Sequence, residues 1–197
     1  MKNLYSEDAF TGLEAAIVLI AFVVVAAVFS YVVLGAGFFT SQTAQATVHT
    51  GVQQASSSIE LVGNVYGIGN SGDTSTFLHY VNTTVALTAG GTAMDMSQMV
   101  VSYNDGTTNL PSMTMETDIT CPATIAAGYT KWCVADRINA NADDLLEPNE
   151  QFIIAIGLPS TTTANTKFTI NLQPAVGAVL PITRTVPGGI RGVQPLY

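Results

Sequence analysis

Few residues of this chain have the types and spacing that catalysis requires. The two histidines, His49 and His79, do not stand near a serine or cysteine in a nucleophile motif. Gly-x-Ser-x-Gly, His-Glu-x-x-His and the phosphate-binding Walker sequence are absent. We therefore predict a protein that is not an enzyme and needs no cofactor, with both histidines as ordinary surface or packed side chains.

Side chains with oxygen ligands are concentrated in one segment of the second half. They are Asp136, Asn139, Asn141, Asp143, Asp144 and Glu147. Because calcium prefers carboxylate and amide oxygens, Asp136, Asn139, Asn141 and Asp143 form a candidate calcium site. However, the spacing lacks the central glycine and the terminal glutamate of a calcium loop. We favour a solvated acidic turn, and we predict no metal.

The chain has two cysteines, Cys121 and Cys133. In an exported chain two cysteines this close form a disulfide, which contributes about 3 kcal/mol by closing a short loop. The alternative is a pair of buried free thiols. Neither cysteine belongs to a CxxC motif or has the spacing of a zinc site.

Asn82-Thr83-Thr84 is a sequon for N-glycosylation. Apolar residues alternate with polar ones between Phe77 and Leu87, which predicts a strand with Val81 and Val85 on one face. Asn82 then lies on the opposite face, where a glycan would point outward. An unmodified asparagine in a strand is the alternative.

An apolar segment near the N-terminus must organise the rest of the chain. No charged residue occurs between Glu14 and Glu60, and residues 15–39 are almost wholly apolar. As a helix, residues 15–39 would be about 37 Å long, which is enough to cross a bilayer. Apolar residues continue at spacings of three and four, at Val48, Val52, Ala55 and Ile59. The pattern predicts one helix from about residue 12 to residue 60.

Thr11-Gly12-Leu13-Glu14 is a capping-box pattern directly before the apolar segment. In this interpretation Glu14 caps the helix and complements its dipole. A second interpretation also stands, because a carboxylate at the edge of an apolar helix is costly without a partner. Glu14 would then neutralise the free N-terminal amine of a neighbouring chain and set the register between helices. The two roles are compatible.

Downstream of the helix the sequence predicts a β domain. Residues 77–87 and 99–103 have apolar side chains at alternate positions, and further short segments bounded by Gly, Pro or Asn follow at 113–119, 151–158, 167–172 and 182–186. Six or more short strands with regular turns are typical of a β-sandwich. The predicted fold class is therefore α+β: a long N-terminal apolar α-helix followed by an all-β immunoglobulin-like sandwich head.

The length and charge of the chain restrict its function. Its 197 residues suit one helix and one head domain with a core of its own. The net charge of −8 argues against binding to nucleic acid and against electrostatic docking on anionic lipid. Only 10% of the residues are charged, and such a composition is common in extracellular β-rich proteins.

The string Phe10-Thr11-Gly12-Leu13-Glu14, followed by the apolar segment, resembles the N-terminus of archaellins, the archaeal flagellins. It is also similar to type IV pilins, whose mature chains begin with phenylalanine and have glutamate as the fifth residue. The resemblance implies cleavage between Ala9 and Phe10 by a prepilin-peptidase-like enzyme. Two positions depart from the family, which usually has glycine before the cut and basic residues upstream, where this chain has Ala9 and Asp8.

The resemblance also implies a domain organisation. Residues 1–9 would be a cleaved leader, and residues 10–60 a helix that anchors the precursor in the membrane and later forms the filament core. Residues 61–197 would be the outer β-sandwich domain.

A function and partners follow from the same resemblance. Copies of the chain, with or without paralogous subunits, would form a helical filament outside the cell. A membrane platform with an ATPase would assemble this filament, which would rotate for swimming. The alternative in the same class is a non-rotating adhesive pilin. From another class, a single-pass membrane-anchored extracellular binding domain remains, and an anchored enzyme is the remotest candidate.

Overall fold

A computed structural model describes residues 5–69, 75–117, 121 and 130–197. The chain divides into two compact units, with the boundary between Thr50 and Gly51. The first unit consists of a long helix, and the second contains the last turn of that helix and a large β domain. The predicted class is confirmed: a long apolar N-terminal helix precedes a β-sheet head.

The helix, α1, spans Tyr5–Ser56 and is about 78 Å long. Both of its ends differ from the prediction. It begins before Thr11, so Thr11 lies inside the helix and is not its N-cap in this chain. Glu7 and Asp8 suit the first turn of a helix, because acidic residues there complement the helix dipole. It ends before residue 60, because Ile59 and Glu60 pair with the strand that contains Leu87.

Eleven strands are present in the described residues of the head. They are β1 (Ile59–Gly69), β2 (Leu78–Leu87), β3 (Met94–Asp95), β4 (Val100–Asn104), β5 (Asn109–Met115), β6 (Lys131–Ile138), β7 (Leu145–Leu146), β8 (Gln151–Gly157), β9 (Lys167–Gln173), β10 (Leu180–Thr185) and β11 (Val193–Leu196). A short 3₁₀ helix, Met96–Gln98, follows β3. Nine strands are hydrogen-bonded in the order β10-β9-β4-β5-β6-β8-β2-β1-β11, and β3 pairs with β7.

The nine strands enclose one hydrophobic core. Only β5 and β6 pair in parallel among the described strands, and they join a four-stranded group to a five-stranded group. Fully buried side chains of both groups, such as Tyr103 and Phe168 in one and Phe152 and Ile154 in the other, belong to a single cluster. The two edges of the sheet meet where the Thr185 N–H donates to the Tyr197 carbonyl, 2.9 Å away.

The predicted strands agree with β2, β4, β8, β9 and β10 to within about two residues. In β2, β4, β9 and β10, buried and less buried positions alternate along most of the strand, so the sequence pattern reflects one covered face. In β8 the alternation ends at Ile154, because Ile154, Ala155 and Ile156 are all fully buried. The strand predicted at 113–119 corresponds to β5, which begins earlier at Asn109. The end of that prediction lies outside the described residues.

The prediction missed β1, β6 and β11 as well as the short pair β3 and β7. A bulge between Val62 and Tyr66 interrupts β1, with Gly63 at a φ of 76°, so its alternation is broken. In β6, Trp132 and Cys133 are adjacent and both buried. Both faces of β6 are covered in its first half, whereas Asp136 and Ile138 are exposed, so no regular alternation runs along the strand.

The residues after α1 are held tightly by the head. The Ser57 hydroxyl is 2.7 Å from that of Thr92, and the Ser58 hydroxyl is 2.8 Å from that of Thr88. Gly177 has a φ of 113°, and a Cβ at this position would overlap the Ser57 carbonyl oxygen. Ser57 and Ser58 are therefore fixed on the β domain, and the close approach at Ser57 requires glycine at 177.

Candidate assembly site

The apolar surface of α1 is the largest exposed feature of the described chain. Every large apolar side chain between Leu13 and Phe39 is at least half exposed, from 52% at Val33 to 80% at Tyr31. Soluble monomers rarely expose contiguous apolar patches of more than a few hundred Å². Residues 12–54 are long and apolar enough to cross a membrane. This surface needs either lipid or other protein to cover it.

In the uncharged continuation of α1, threonine side chains form hydrogen bonds with the backbone of the helix itself. Four threonine hydroxyls each donate to a carbonyl oxygen one turn earlier, at 2.8–2.9 Å: Thr40 to Ala36, Thr43 to Phe39, Thr47 to Thr43 and Thr50 to Ala46. Because their donors are already used, these side chains can be buried without leaving an unsatisfied O–H. This segment is therefore suited to contact with another helix as well as to contact with water.

The predicted processing residues lie at the beginning of α1. Ala9 and Phe10 are both within the helix, and Glu14 follows Phe10 by four residues, so Phe10 and Glu14 share a helix face. The Glu14 side chain is exposed. The helix thus presents this carboxylate at the polar end of the apolar surface.

The cysteine prediction is confirmed: Cys121 and Cys133 form a disulfide, with their Cα atoms 6.3 Å apart. Cys133 lies in β6 and is 1% exposed. On the outer side of the sheet it packs with Ala155 and Tyr80. The disulfide fastens the β5–β6 connection to the sheet at Cys121.

Asn82 lies in β2 between Tyr66 of β1 and Ala155 of β8. It is half-buried, whereas Val81 and Val85 are fully buried on the other face, as the alternation predicts. The oxygen of its amide is covered and has no hydrogen-bond partner. Glycosylation of Asn82 stays a prediction.

The acidic segment builds turns with its own side chains. Carboxylate and amide oxygens accept backbone N–H groups at 2.8–3.0 Å, at Asp136 from Arg137, at Asn141 from Asp143 and at Asp143 from Leu145. Asn139 has a φ of 55°. Asp144 is paired with Arg137. Turn formation therefore accounts for the oxygen atoms at Asp136, Asn141 and Asp143 that suggested a calcium site.

The two histidines lie in different units and have different surroundings. His49 is exposed on α1. His79 lies in β2, where its ring stacks on that of Phe77 at 5.2 Å between centroids.

Sequence reasoning missed a polar network at one end of the head. The buried Tyr103 hydroxyl donates to Asp105 Oδ2 at 3.0 Å and is 2.5 Å from the Thr162 hydroxyl. Burial, together with the nearby Asp105 carboxylate, raises the pKa of Tyr103. The Asn-Asp-Gly turn signal around Asp105 was visible in the sequence, but the contacts of Tyr103 with Thr162 and of Asp105 with Thr161 join residues that are far apart in the chain.

Asp105 is the centre of this network. Its carboxylate accepts the N–H groups of Thr108 and Thr107 and the Thr161 hydroxyl, in addition to Tyr103. Burial alone would raise the pKa of Asp105, but these hydrogen bonds outweigh it and hold the pKa below its usual value of 3.8. The ionised carboxylate therefore stabilises the folded head.

A head with one core, joined to a long helix whose apolar surface is uncovered, defines a class of structural subunit. Such a subunit is complete only when lipid or other copies cover its helix. Comparison with known proteins identifies the class more closely. The family model for archaeal-type flagellin matches residues 9–184.

Individual relatives agree with this match. The chain is 39% identical to probable flagellin 1 of Archaeoglobus fulgidus, over 100% of this chain and 98% of the relative. It is similar to a subunit in the solved archaeal flagellum of Methanospirillum hungatei, with a TM-score of 0.67 and 31% identity over 94% of this chain and 98% of the other. The crystal structure of archaeal flagellin FlaB1 from Methanocaldococcus jannaschii shares the fold, with a TM-score of 0.55, 12% identity and coverage of 70% and 95%.

The chain belongs to the archaeal-type flagellin family. It is a structural subunit of the archaeal flagellum, the archaellum, which is a helical polymer at the outer surface of the cell. The resemblance seen in residues 10–14 and in the apolar segment after them is thereby confirmed.

The Asp105 network predicts a pH-dependent contribution to the stability of the head. Because the folded-state pKa is lowered, the stabilisation is present above about pH 4 and is lost as the pH falls through the folded value. Asp105→Asn should reduce the free energy of unfolding at pH 7 by about 2 kcal/mol. The difference from the wild type should shrink between pH 5 and pH 2.

The measurement is chemical denaturation of the full-length subunit in detergent, followed by the fluorescence of the buried Trp132. Asp136→Asn is the control, because Asp136 accepts a single local N–H and its replacement should change stability little. A difference between Asp105→Asn and wild type that stays constant from pH 7 to pH 2 would contradict the assignment.

Proposed function

We propose that this flagellin polymerises through α1 and that the resulting filament turns to drive swimming. The observation that carries the proposal is the apolar surface between Leu13 and Phe39, every large side chain of which is at least half exposed. In the precursor, lipid covers this surface, and each large aliphatic residue near the centre contributes about 0.3 to 0.6 kcal/mol.

Transfer from lipid to the polymer requires that a second apolar environment replaces the first. Identical helices packed side by side supply it, because their side chains are as apolar as the lipid tails. Small residues permit the helix backbones to approach closely, and they occur at Ala15, Ala16, Ala26, Ala27 and Gly35. The threonine hydroxyls further along α1 are already bonded within the helix, so the contact between helices can extend to Thr50.

We assign the parts of the chain accordingly. Residues 1–9 are a leader that a prepilin-peptidase-like enzyme removes, and the helix from Phe10 to Ser56 forms the filament core. The head from Ser57 onward forms the outer shell. A membrane platform with an ATPase supplies the work of moving each precursor from the bilayer into the filament.

Glu14 has a defined partner in this arrangement. After cleavage, the new amine at Phe10 lies four residues before Glu14 on one helix. The amine of one copy and the Glu14 carboxylate of another come level when the two helices are offset by roughly 6 Å along the axis. An ion pair at this position would neutralise a carboxylate that otherwise enters an apolar bundle uncompensated.

The apolar-core proposal is tested by a charge in the middle of α1. Val24→Asp should abolish filaments, as seen by electron microscopy of sheared cell-surface material, and should abolish swimming, because the bundle offers the carboxylate no partner. Val193→Asp is the matched control: Val193 is 67% exposed on the head, so filaments and swimming should persist. Normal filaments from Val24→Asp would refute the packed core. Separately, if cells with the wild-type chain form filaments and attach to surfaces but do not swim, the adhesive-pilin alternative would be favoured.

The role of Glu14 predicts a different outcome for its neutral variants. Glu14→Gln and Glu14→Ala should both reduce the yield of filaments strongly, while Glu14→Asp should retain part of it. A purely local role in the helix would cost only about 1 kcal/mol and leave assembly largely intact. The yield is measured by sedimentation of sheared filaments against total subunit in the cell. A wild-type yield from Glu14→Gln would remove the partner role.

Filament subunits should begin at Phe10. N-terminal sequencing of assembled filaments tests the scissile bond, and a start at any other residue would show that the assignment of Ala9 and Phe10 is wrong. The masses of the same intact subunits and of their peptides test Asn82. Excess mass confined to the peptide with Asn82 indicates a glycan, and an unmodified mass would show that Asn82 is not glycosylated.

A further inference from the structure

The outer side of the sheet is apolar around Asn82. Val81 and Val85 of β2 are buried in the core, so Asn82 and the residues paired with it point the other way. The middle of this outer side, which we call the β2 face, consists of uncharged residues: Tyr66, Ile68, Tyr80, Asn82, Val193 and Pro195. An antiparallel sheet that meets water on one side ordinarily has polar residues there. The β2 face instead has the composition of a surface that is covered.

The strand register places Asn82 in the middle of this face. Tyr66 of β1 is directly opposite Asn82, and Pro195 of β11 is directly opposite Tyr66. Tyr80 precedes Asn82 by two residues in β2, so its side chain lies on the same face, about 7 Å away along the strand. Asn82 therefore has one tyrosine beside it across the sheet and another along its own strand.

The two tyrosines differ in exposure. Tyr80 is half-buried and packs against Cys133 and Ala155, so it is held close to the sheet. Tyr66 is 42% exposed. Directly opposed residues of antiparallel strands have their Cβ atoms about 5 Å apart, which brings a group attached to Asn82 within reach of the Tyr66 ring. The open aromatic surface beside Asn82 thus belongs mainly to Tyr66.

The amide group of Asn82 is oriented for attachment of a sugar. Asn82 is partly exposed, yet its Oδ1 is covered and has no hydrogen-bond partner in the described part of the chain. The amide nitrogen is then the polar atom that can face solvent, and it is the atom to which an N-linked sugar is joined. Thr84, the third residue of the sequon, follows Asn82 by two residues and lies on the same face.

We propose that the first sugar of a glycan on Asn82 packs against the ring of Tyr66 and covers the centre of the β2 face. The proposal rests on glycosylation of Asn82, which belongs to the function proposed above. In the attachment step, Asn82 Nδ2 forms a bond to C1 of the sugar and releases one proton to solvent. The bond between C1 and the phosphate of a lipid-linked sugar donor breaks, and its electron pair leaves with the phosphate.

A pyranose is chemically suited to this surface. One side of such a ring presents mainly C–H groups, and the face of an aromatic ring carries the negative part of its quadrupole, so the two attract each other. The contact also removes apolar surface of Tyr66 from water. Because the sugar is tethered beside Tyr66, its effective concentration there is high. Its hydroxyl groups remain on the outer side and replace an apolar surface by a polar one.

The tether selects the sugar over a second copy of the chain as the occupant of the β2 face. A sugar joined to Asn82 is located at the centre of this face by its covalent bond. A neighbouring head would have to displace it in order to reach Tyr66. The β2 face of a glycosylated subunit consequently faces solvent in the filament.

Chemical modification of tyrosine tests the proposal. Subunits released from filaments into detergent are treated with tetranitromethane, and nitration is measured by mass spectrometry of their peptides. Tyr66 should react several-fold more slowly in the wild type than in Thr84→Ala subunits, which lack the sequon. Thr84→Ser is the matched control, because it keeps the sequon and should keep Tyr66 protected. Tyr197 is 85% exposed and is the internal reference, which should react equally in all of them.

A double-mutant cycle measures the contact itself. Tyr66→Ser should lower the ratio of folded to unfolded subunit about fivefold more in the glycosylated chain than in the Thr84→Ala chain. Tyr66→Phe keeps the ring and should retain most of this difference. The ratio is obtained by chemical denaturation followed by the fluorescence of the buried Trp132, which also reports that each variant is folded. If Thr84→Ala does not fold, Asn82→Gln replaces it.

Three outcomes would overturn the proposal, and they differ in what else they remove. An unmodified mass of the peptide with Asn82 removes the glycan together with its packing. A glycan on Asn82 with equal nitration of Tyr66 in wild-type and Thr84→Ala subunits leaves glycosylation standing and refutes the packing. Protection of Tyr66 in wild-type filaments that disappears when the glycosylated subunits are released would show that another copy covers the β2 face. None of these bears on the apolar core, which is judged by Val24→Asp filaments.

Discussion

The apolar surface of α1 has to be covered at every stage in the existence of this protein. Its large side chains are more than half exposed in the single subunit, and exposure of this extent to water is not sustainable. In the proposed assembly, lipid covers the helix in the precursor, and copies of the helix cover it in the filament. The absence of charge between Glu14 and Glu60 serves both environments, because neither accommodates an unpaired ion.

A polymer built on a helix requires a head that does not polymerise by itself. Strand edges are the usual hazard in β domains, since their free N–H and C=O groups can pair with another chain. Here Pro181 removes one N–H from the edge strand β10, Arg184 donates to the Thr183 carbonyl, and Thr185 bonds to Tyr197 of the opposite edge. The edges of the head are therefore poorly suited to strand pairing with another copy, which leaves the apolar contact proposed above to α1.

Within the second unit, the residues that precede β1 are also closely held. The bonds of Ser57 and Ser58 to Thr92 and Thr88, and the close approach of Gly177, hold the chain where it leaves the helix. A second fixed region, around Asp105, joins the turn after β4 to the segment after β8. Both lie in loops, so these two loops are held by specific contacts as the strands are.

The amino-acid sequence by itself determined the elements with a local period. The helix follows from apolar residues without charge. The strands β2, β4, β9 and β10 follow from alternation, because each has one face in the core and the other less covered. β8 follows from a short apolar segment bounded by Asn and Gly residues. The string from Phe10 to Glu14, together with the apolar segment after it, was sufficient to indicate the family.

Only the tertiary structure decided the end of α1, the strands β1 and β6 and the role of Thr11. Residues near Ile59 suit a helix as well as a strand, and pairing with Leu87 selected the strand. At the beginning of β6 both faces are covered, by the core at Trp132 and by the disulfide at Cys133, so apolar and polar residues do not alternate there in the sequence. The physical reason is common to these cases: contacts between residues distant in sequence outweighed the local preference.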